Sequence, residues 1–237
     1  MNRLIRADLR RILRKPGLYV ILLFIVIIIL GRSPAETSGE EMEYYRTFFG
    51  FWALTMISIP IYNAVYSDEL KSGIMINVIG IGMDRKKIVL SKLWDCFILL
   101  LGAYAVLYVA ALISNSATGL AVTQKQNTFL FIYCLFCVVR GIGIIALSSL
   151  VLFLTMSGAG GMLVLIVVGL AAEMTLKTIQ EVTELPFYDL SYIGLLNRSY
   201  TQFQNGDIGF SLIPALIYLC VVIAVNIMAF DKKEMNL

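Results

Sequence analysis

The sequence predicts an all-α, polytopic membrane protein: six transmembrane helices, an N-terminal amphipathic elbow helix, and a structured polar segment between the second and third spans. Three observations predict it. Hydrophobic residues make up 59% of the chain against 15% charged, with a mean hydropathy of +0.84, which leaves too little polar surface to cover a water-soluble globule. The apolar residues fall in continuous runs rather than alternating ones, as helices in lipid require and barrel strands do not. Finally, the basic residues segregate: thirteen lie at the termini and between the second and third runs, and five lie in the other connections.

Residues 1–15 carry Arg3, Arg6, Arg10, Arg11, Arg14 and Lys15. On a helical wheel Met1, Ile5, Leu9, Ile12 and Leu13 share an arc beside the arginines, the pattern of a helix lying along an anionic leaflet. It reads as an interfacial helix rather than a cleaved leader, and Pro16 with Gly17 supplies the bend into the first span. Crossing a ~30 Å hydrocarbon core takes roughly 20 apolar residues, and somewhat shorter runs are tolerated. The runs are Gly17 to Gly31, Thr47 to Tyr66, Leu93 to Ile113, Thr128 to Met156, Met162 to Leu176 and Phe210 to Phe230. The distribution of Lys and Arg puts both termini in the cytoplasm, and Glu36, Glu40, Glu41 and Glu43 in the first outer loop agree. The whole of residues 1–237 forms a single transmembrane domain.

Residues 67–92 carry eight charges between two apolar runs. Ser67, Asp68 and Glu69 look like a helix N-terminus, Gly73, Gly80 and Gly82 loosen the backbone, and Asp84 can cap a helix leading into the third span. With the elbow helix and the six spans, an inner segment reading Glu69, Gly73, Gly82, Arg85 and Lys92 resembles the permease subunit of type-2 ABC exporters. The likeness is to its compact bacterial peptide-export and immunity class. The resemblance implies that residues 67–92 are a cytoplasmic coupling helix docking on a separate ATPase subunit, with Glu69 and Gly73 in the coupling element and Arg85 and Lys92 in its return. It further implies two ATPase copies carrying ATP and Mg, a second permease chain as homodimer or heterodimer, and a bacterial cytoplasmic membrane. The alternative for these charges is a solvated, positive-inside loop.

No cofactor is expected on this chain. The glycine-rich Ser157 to Gly161 lacks the lysine and following hydroxyl of a phosphate-binding loop, and histidine is absent, removing the commonest general base and metal ligand. Neither H-E-x-x-H nor G-x-S-x-G occurs, so an intramembrane enzyme is disfavoured, and nucleic acid is not an expected partner. Cys134 and Cys137 form CxxC inside an apolar run, where packing explains them better than redox chemistry. Arg140 lies ~18 Å into the fourth run and Glu173 ~18 Å up the fifth, so an ion pair is expected, either stapling helices or lining a substrate path. Residues 173–209 mix acids with aromatics and suit short interfacial helices; the resemblance makes them an outer re-entrant gate. The expected cargo is an amphipathic peptide such as an antimicrobial or toxin peptide, with drugs, lipids, lipid-linked sugars or a non-transport anchor as alternatives.

Overall fold

Apolar helices with few breakers build the chain into a helical bundle, described by a computed structural model over residues 2–32, 37–71, 84–119, 122–207 and 209–232. In order these are α1 (Asn2–Ile12), α2 (Pro16–Gly31), α3 (Ser38–Leu70), α4 (Arg85–Thr118), α5 (Gln124–Thr155), α6 (Gly158–Leu170), α7 (Ala172–Thr183), α8 (Phe187–Leu190), α9 (Tyr192–Gln204) and α10 (Leu212–Lys232). Four of them, α3, α4, α5 and α10, are long and apolar enough to cross a membrane. The count rises to as many as six if two bent pairs, α1 with α2 and α6 with α7, are each one span.

Local chemistry sets most boundaries. Pro16 opens α2, where its missing N–H costs nothing, and α1 meets α2 at 63°. Thr37 caps α3, Asp84 caps α4 through the Lys86 amide, and Thr123 with Gln126 forms a reciprocal capping box on α5. Gly119 ends α4 in the left-handed conformation.

Three expectations are corrected. Ser67 does not start a helix: α3 runs on from the second apolar stretch through Ser67 and Asp68 in right-handed geometry. Helix propagation across one more turn needs no new nucleus, and the two acids that resembled a cap pair with the N-terminal segment instead. The helices of the second and fourth apolar runs are longer than those runs because polar segments, Ser38–Thr47 and Gln124–Asn127, join the same helices, whereas the helix of the third starts at Arg85 behind Asp84 as expected. The fifth run is bent by 54° at Ala171, not straight. Gly73 and the rest of 72–83 lie outside the described residues.

α5 is the central helix: 67% of its most apolar window is buried, against 11% for α10, which exposes Ile213, Ile217, Val221 and Met228 on the outside of the bundle. Close approach around it depends on missing β-carbons. A Cβ on Gly143 would lie 2.2 Å from the Tyr192 ring, and one on Gly161 would strike the Tyr62 hydroxyl. The glycine-rich turn before α6 therefore packs, with Gly158 against Ser67 and Gly161 against Tyr62. Asn226 of α10 is fully buried and joins α5, donating to the Ala146 carbonyl at 2.9 Å and accepting from Ser149. The bundle has two ends. At the basic end α1 meets the close of α3 and the start of α4; at the far end the starts of α3 and α5 meet α9.

Candidate functional site

Two charged constellations stand out, one near each end. At the basic end, Lys92 is 3% exposed and its Nζ donates to Asp8 and to Glu69, each at 2.5 Å. Arg11 also donates to Glu69, and Lys15 to Asp68. The sequence places these groups by helix periodicity: Asp8 and Arg11 are one turn apart on α1, and Glu69 ends α3. The cluster therefore ties α1 to the two helices that flank 72–83. Arg85 does something different, donating at 2.9 Å to the carbonyls of Phe230 and Asp231, where a cation satisfies the end of α10.

Of the residues singled out from sequence at this end, Glu69 and Lys92 thus touch one another and face inward, while Arg85 caps another helix. Two participants escaped the sequence reading. Asp8 is the only acid in the first 35 residues, and that isolation among cations was the available signal. Asp95, one turn after Lys92, is fully buried, and neither carboxylate oxygen has a hydrogen-bond partner among the described residues. Three carboxylates, Asp8, Glu69 and Asp95, thus surround two cations, Arg11 and Lys92.

Toward the far end, Arg140 and Glu173 meet: Nη2 donates to Oε2 at 2.8 Å, with Arg140 buried. The other carboxylate oxygen accepts from Lys177 at 2.9 Å and from Tyr188 and Asn197 at 3.3 Å, and Asn197 also donates to the Tyr188 hydroxyl at 2.7 Å. The bend at Ala171 turns α7 so that Glu173 faces α5, while α8 and α9 fold back to bring Tyr188 and Asn197 over it. Burial raises the Tyr188 and Tyr192 phenols and pushes Tyr200 up to about 12, so each remains a donor at neutral pH. Tyr192 spends its proton on the Val139 carbonyl at 2.6 Å, next to Arg140.

This network is the floor of a cavity of about 480 Å³ whose walls include Arg46, Phe51, Trp52, Tyr133 and Lys177. A second chamber of about 360 Å³, bordered by Phe129, Leu130, Tyr200 and Gln204, shares Glu43, Arg46 and Tyr133 with it. A π-helical segment over Phe48–Ala53 shapes the wall: its widened turn carries Phe51 and Trp52 to the cavity, and Gly50 lets the Tyr133 hydroxyl reach the Arg46 carbonyl at 2.9 Å. Sequence reasoning did not identify Glu43, Arg46 or Trp52, which read as outer-loop charge and span residue.

The four cysteines are free, Cys134 and Cys137 being buried, and no group of His, Cys, Asp or Glu among the described residues could hold a metal ion. No family model, curated protein or solved structure matches the chain. The structure itself shows a helical bundle with four to six helices long and apolar enough to cross a membrane, a buried ion-pair cluster at one end and a charged, aromatic-walled cleft toward the other.

Proposed function

We propose that this chain is the permease subunit of a type-2 ABC exporter in a bacterial cytoplasmic membrane, with six spans, both termini inside, and amphipathic peptides as cargo. The single observation that carries the reading is the Asp8, Arg11, Glu69 and Lys92 cluster, which joins the N-terminal helix to both flanks of residues 72–83. The two flanks cannot shift relative to α1 without breaking a buried ion pair, at a cost of about 3–5 kcal/mol. Force that reaches Glu69 or Lys92 is therefore passed to α1, α3 and α4 together.

In this mechanism two separate ATPase subunits, holding ATP and Mg, grip residues 72–83 of two permease chains, and their closure drives alternating access along the interface between the chains. Glu69 and Lys92 act from within as the root of the lever, and Gly73 belongs to the coupling element by resemblance. The exposed apolar face of α10 meets lipid or the second chain. This polypeptide performs no covalent or acid–base step.

The test is affinity purification of the tagged chain from native membranes in a mild detergent. The expected result is co-recovery of a chain bearing G-x-x-x-x-G-K-[ST], whose ATP turnover falls at least about fivefold with Gly73→Arg and loses its dependence on the permease with Glu69→Gln. Recovery of no nucleotide-binding chain, or turnover indifferent to both substitutions, removes the exporter reading.

A further inference from the structure

The two far-end chambers hold charges that the fold pairs incompletely: Arg46 has a cation–π contact, its guanidinium 5.5 Å from the Tyr200 ring centre, but no acid opposite it among the described residues. Arg140, Glu173 and Lys177 satisfy one another, but Glu43 and Arg46, exposed and three residues apart on α3, form no ion pair among the described residues. Both border both chambers. Below them the Arg140 Nε is buried and has no hydrogen-bond partner, although its side chain lines the larger chamber. A buried N–H without an acceptor is a standing cost that a ligand oxygen would relieve. The walls are aromatic: Trp52 is half exposed, and the Tyr133 and Tyr200 rings lie 4.8 Å apart between the chambers.

We infer that the paired chambers bind the C-terminal segment of an amphipathic peptide, with its free carboxylate held between Arg46 and the Arg140 Nε–H. A cationic or amide N–H group of the peptide meets Glu43, and its apolar side chains lie on Trp52 and on the Tyr133 and Tyr200 rings. Chambers of about 480 and 360 Å³ suit a few residues of extended chain rather than a folded peptide. Glu43 argues for a peptide over an anionic lipid headgroup, because a peptide brings a cationic or N–H group for Glu43 together with its carboxylate, whereas an anionic headgroup brings negative charge alone. The assignment rests on the exporter reading for the origin of the peptide, but the binding itself does not need an ATPase.

The chain supplies its own reporter. It has two tryptophans, Trp52 in the larger chamber and Trp94 near the basic end of α4, so Trp94→Phe leaves Trp52 as the sole indole. This variant, in phosphatidylcholine nanodiscs, is titrated with a Trp-free hexapeptide of alternating Leu and Lys, as the free acid and as the C-terminal amide. The free acid is expected to change Trp52 emission saturably and to bind about tenfold more tightly than the amide, the scale of one charge-assisted contact. Arg46→Gln, which gives up the exposed cation–π contact with Tyr200 but no ion pair among the described residues, is expected to abolish that difference while lowering the melting temperature by no more than about 2–4 °C.

Equal binding of acid and amide overturns the proposal, as does a preference that survives Arg46→Gln. A Trp52 change produced by phosphatidylglycerol alone, and not displaced by the peptide, overturns it in favour of a lipid headgroup site. Peptide binding with no ATPase recovered from membranes upholds the site and removes the exporter reading; intact ATPase coupling without peptide binding does the reverse.

Discussion

Lys92 and Asp95 sit one turn apart on α4 and should respond to neutralisation with opposite signs. Lys92 compensates Asp8 and Glu69, so Lys92→Met leaves three carboxylates, Asp8, Glu69 and Asp95, around Arg11 and should destabilise the protein by about 3–5 kcal/mol. Asp95 is the surplus acid of the cluster and its oxygens are unpartnered, so Asp95→Asn should raise the melting temperature in detergent, by about 2–4 °C for each kcal/mol recovered. A lower melting temperature for Asp95→Asn would mean that Lys92 depends on all three carboxylates. Arg140 and Glu173 allow a sharper measurement. Arg140→Leu and Glu173→Leu should each lose more stability than the double substitution, because each single change strands the other charge in the bundle. Additive losses in that double-mutant cycle would show that Lys177, Tyr188 and Asn197 hold Glu173 without Arg140. The Arg140 and Glu173 pairing was legible because a charge deep in an apolar run has few affordable environments. The Glu69 and Lys92 pairing was not, since charges flanking a polar segment look solvated until α1 is known to lie over them.

Among the helices, glycine spacing on α5 and α6 decides how closely the neighbours approach. Gly143→Ala drives a methyl into Tyr192, whose hydroxyl is already fixed on Val139, and should cost about 1–3 kcal/mol. Gly102→Ala provides the contrast: its β-carbon would meet nothing within 4 Å, so the better helix former should be neutral or stabilising by up to about 1 kcal/mol. Thermal unfolding of the two variants in one detergent checks both, and equal effects would refute the packing argument. Helix existence and caps were readable from composition, from Asp84 and from Pro16. The 54° turn at Ala171 was not, because Met162 to Leu170 is apolar without a proline to mark a break; Glu173, just past the turn, bonds to Arg140 and Asn197. Ser67 misled for the complementary reason: a capping sequence was overridden by continuation of α3 and by cations on α1.

For the molecule as a whole, the proposed orientation places Arg10 and Arg198 on opposite faces of the membrane. In a cysteine-free background, a membrane-impermeant maleimide should label Arg198→Cys on intact cells and Arg10→Cys only after permeabilisation; both side chains are exposed, so reagent access is not limited by burial. The reverse pattern would invert the bundle and put residues 67–71 and 84–92 outside, beyond reach of a cytosolic partner. The thinly covered α10 and the apolar face of α2, with Val20, Leu23, Phe24 and Ile27 exposed, are affordable in lipid or against a second chain and would be an aggregation hazard in water.

Composition and the continuity of the apolar runs were sufficient for an all-helical class and for the approximate positions of the four long apolar helices, because these follow from transfer free energies that each residue carries wherever it lies. Which charges face each other is a different kind of information. Asp8 and Lys92 are 84 residues apart, and Arg46 comes to border the same cleft as Arg140 only because a π-helical turn in α3 and the fold-back of α8 and α9 bring separate segments together. A hydrogen-bonded ion pair needs its atoms within about 4 Å, so apart from Arg140 and Glu173, marked by their place in apolar runs, the pairing is settled by packing that the order of residues does not record.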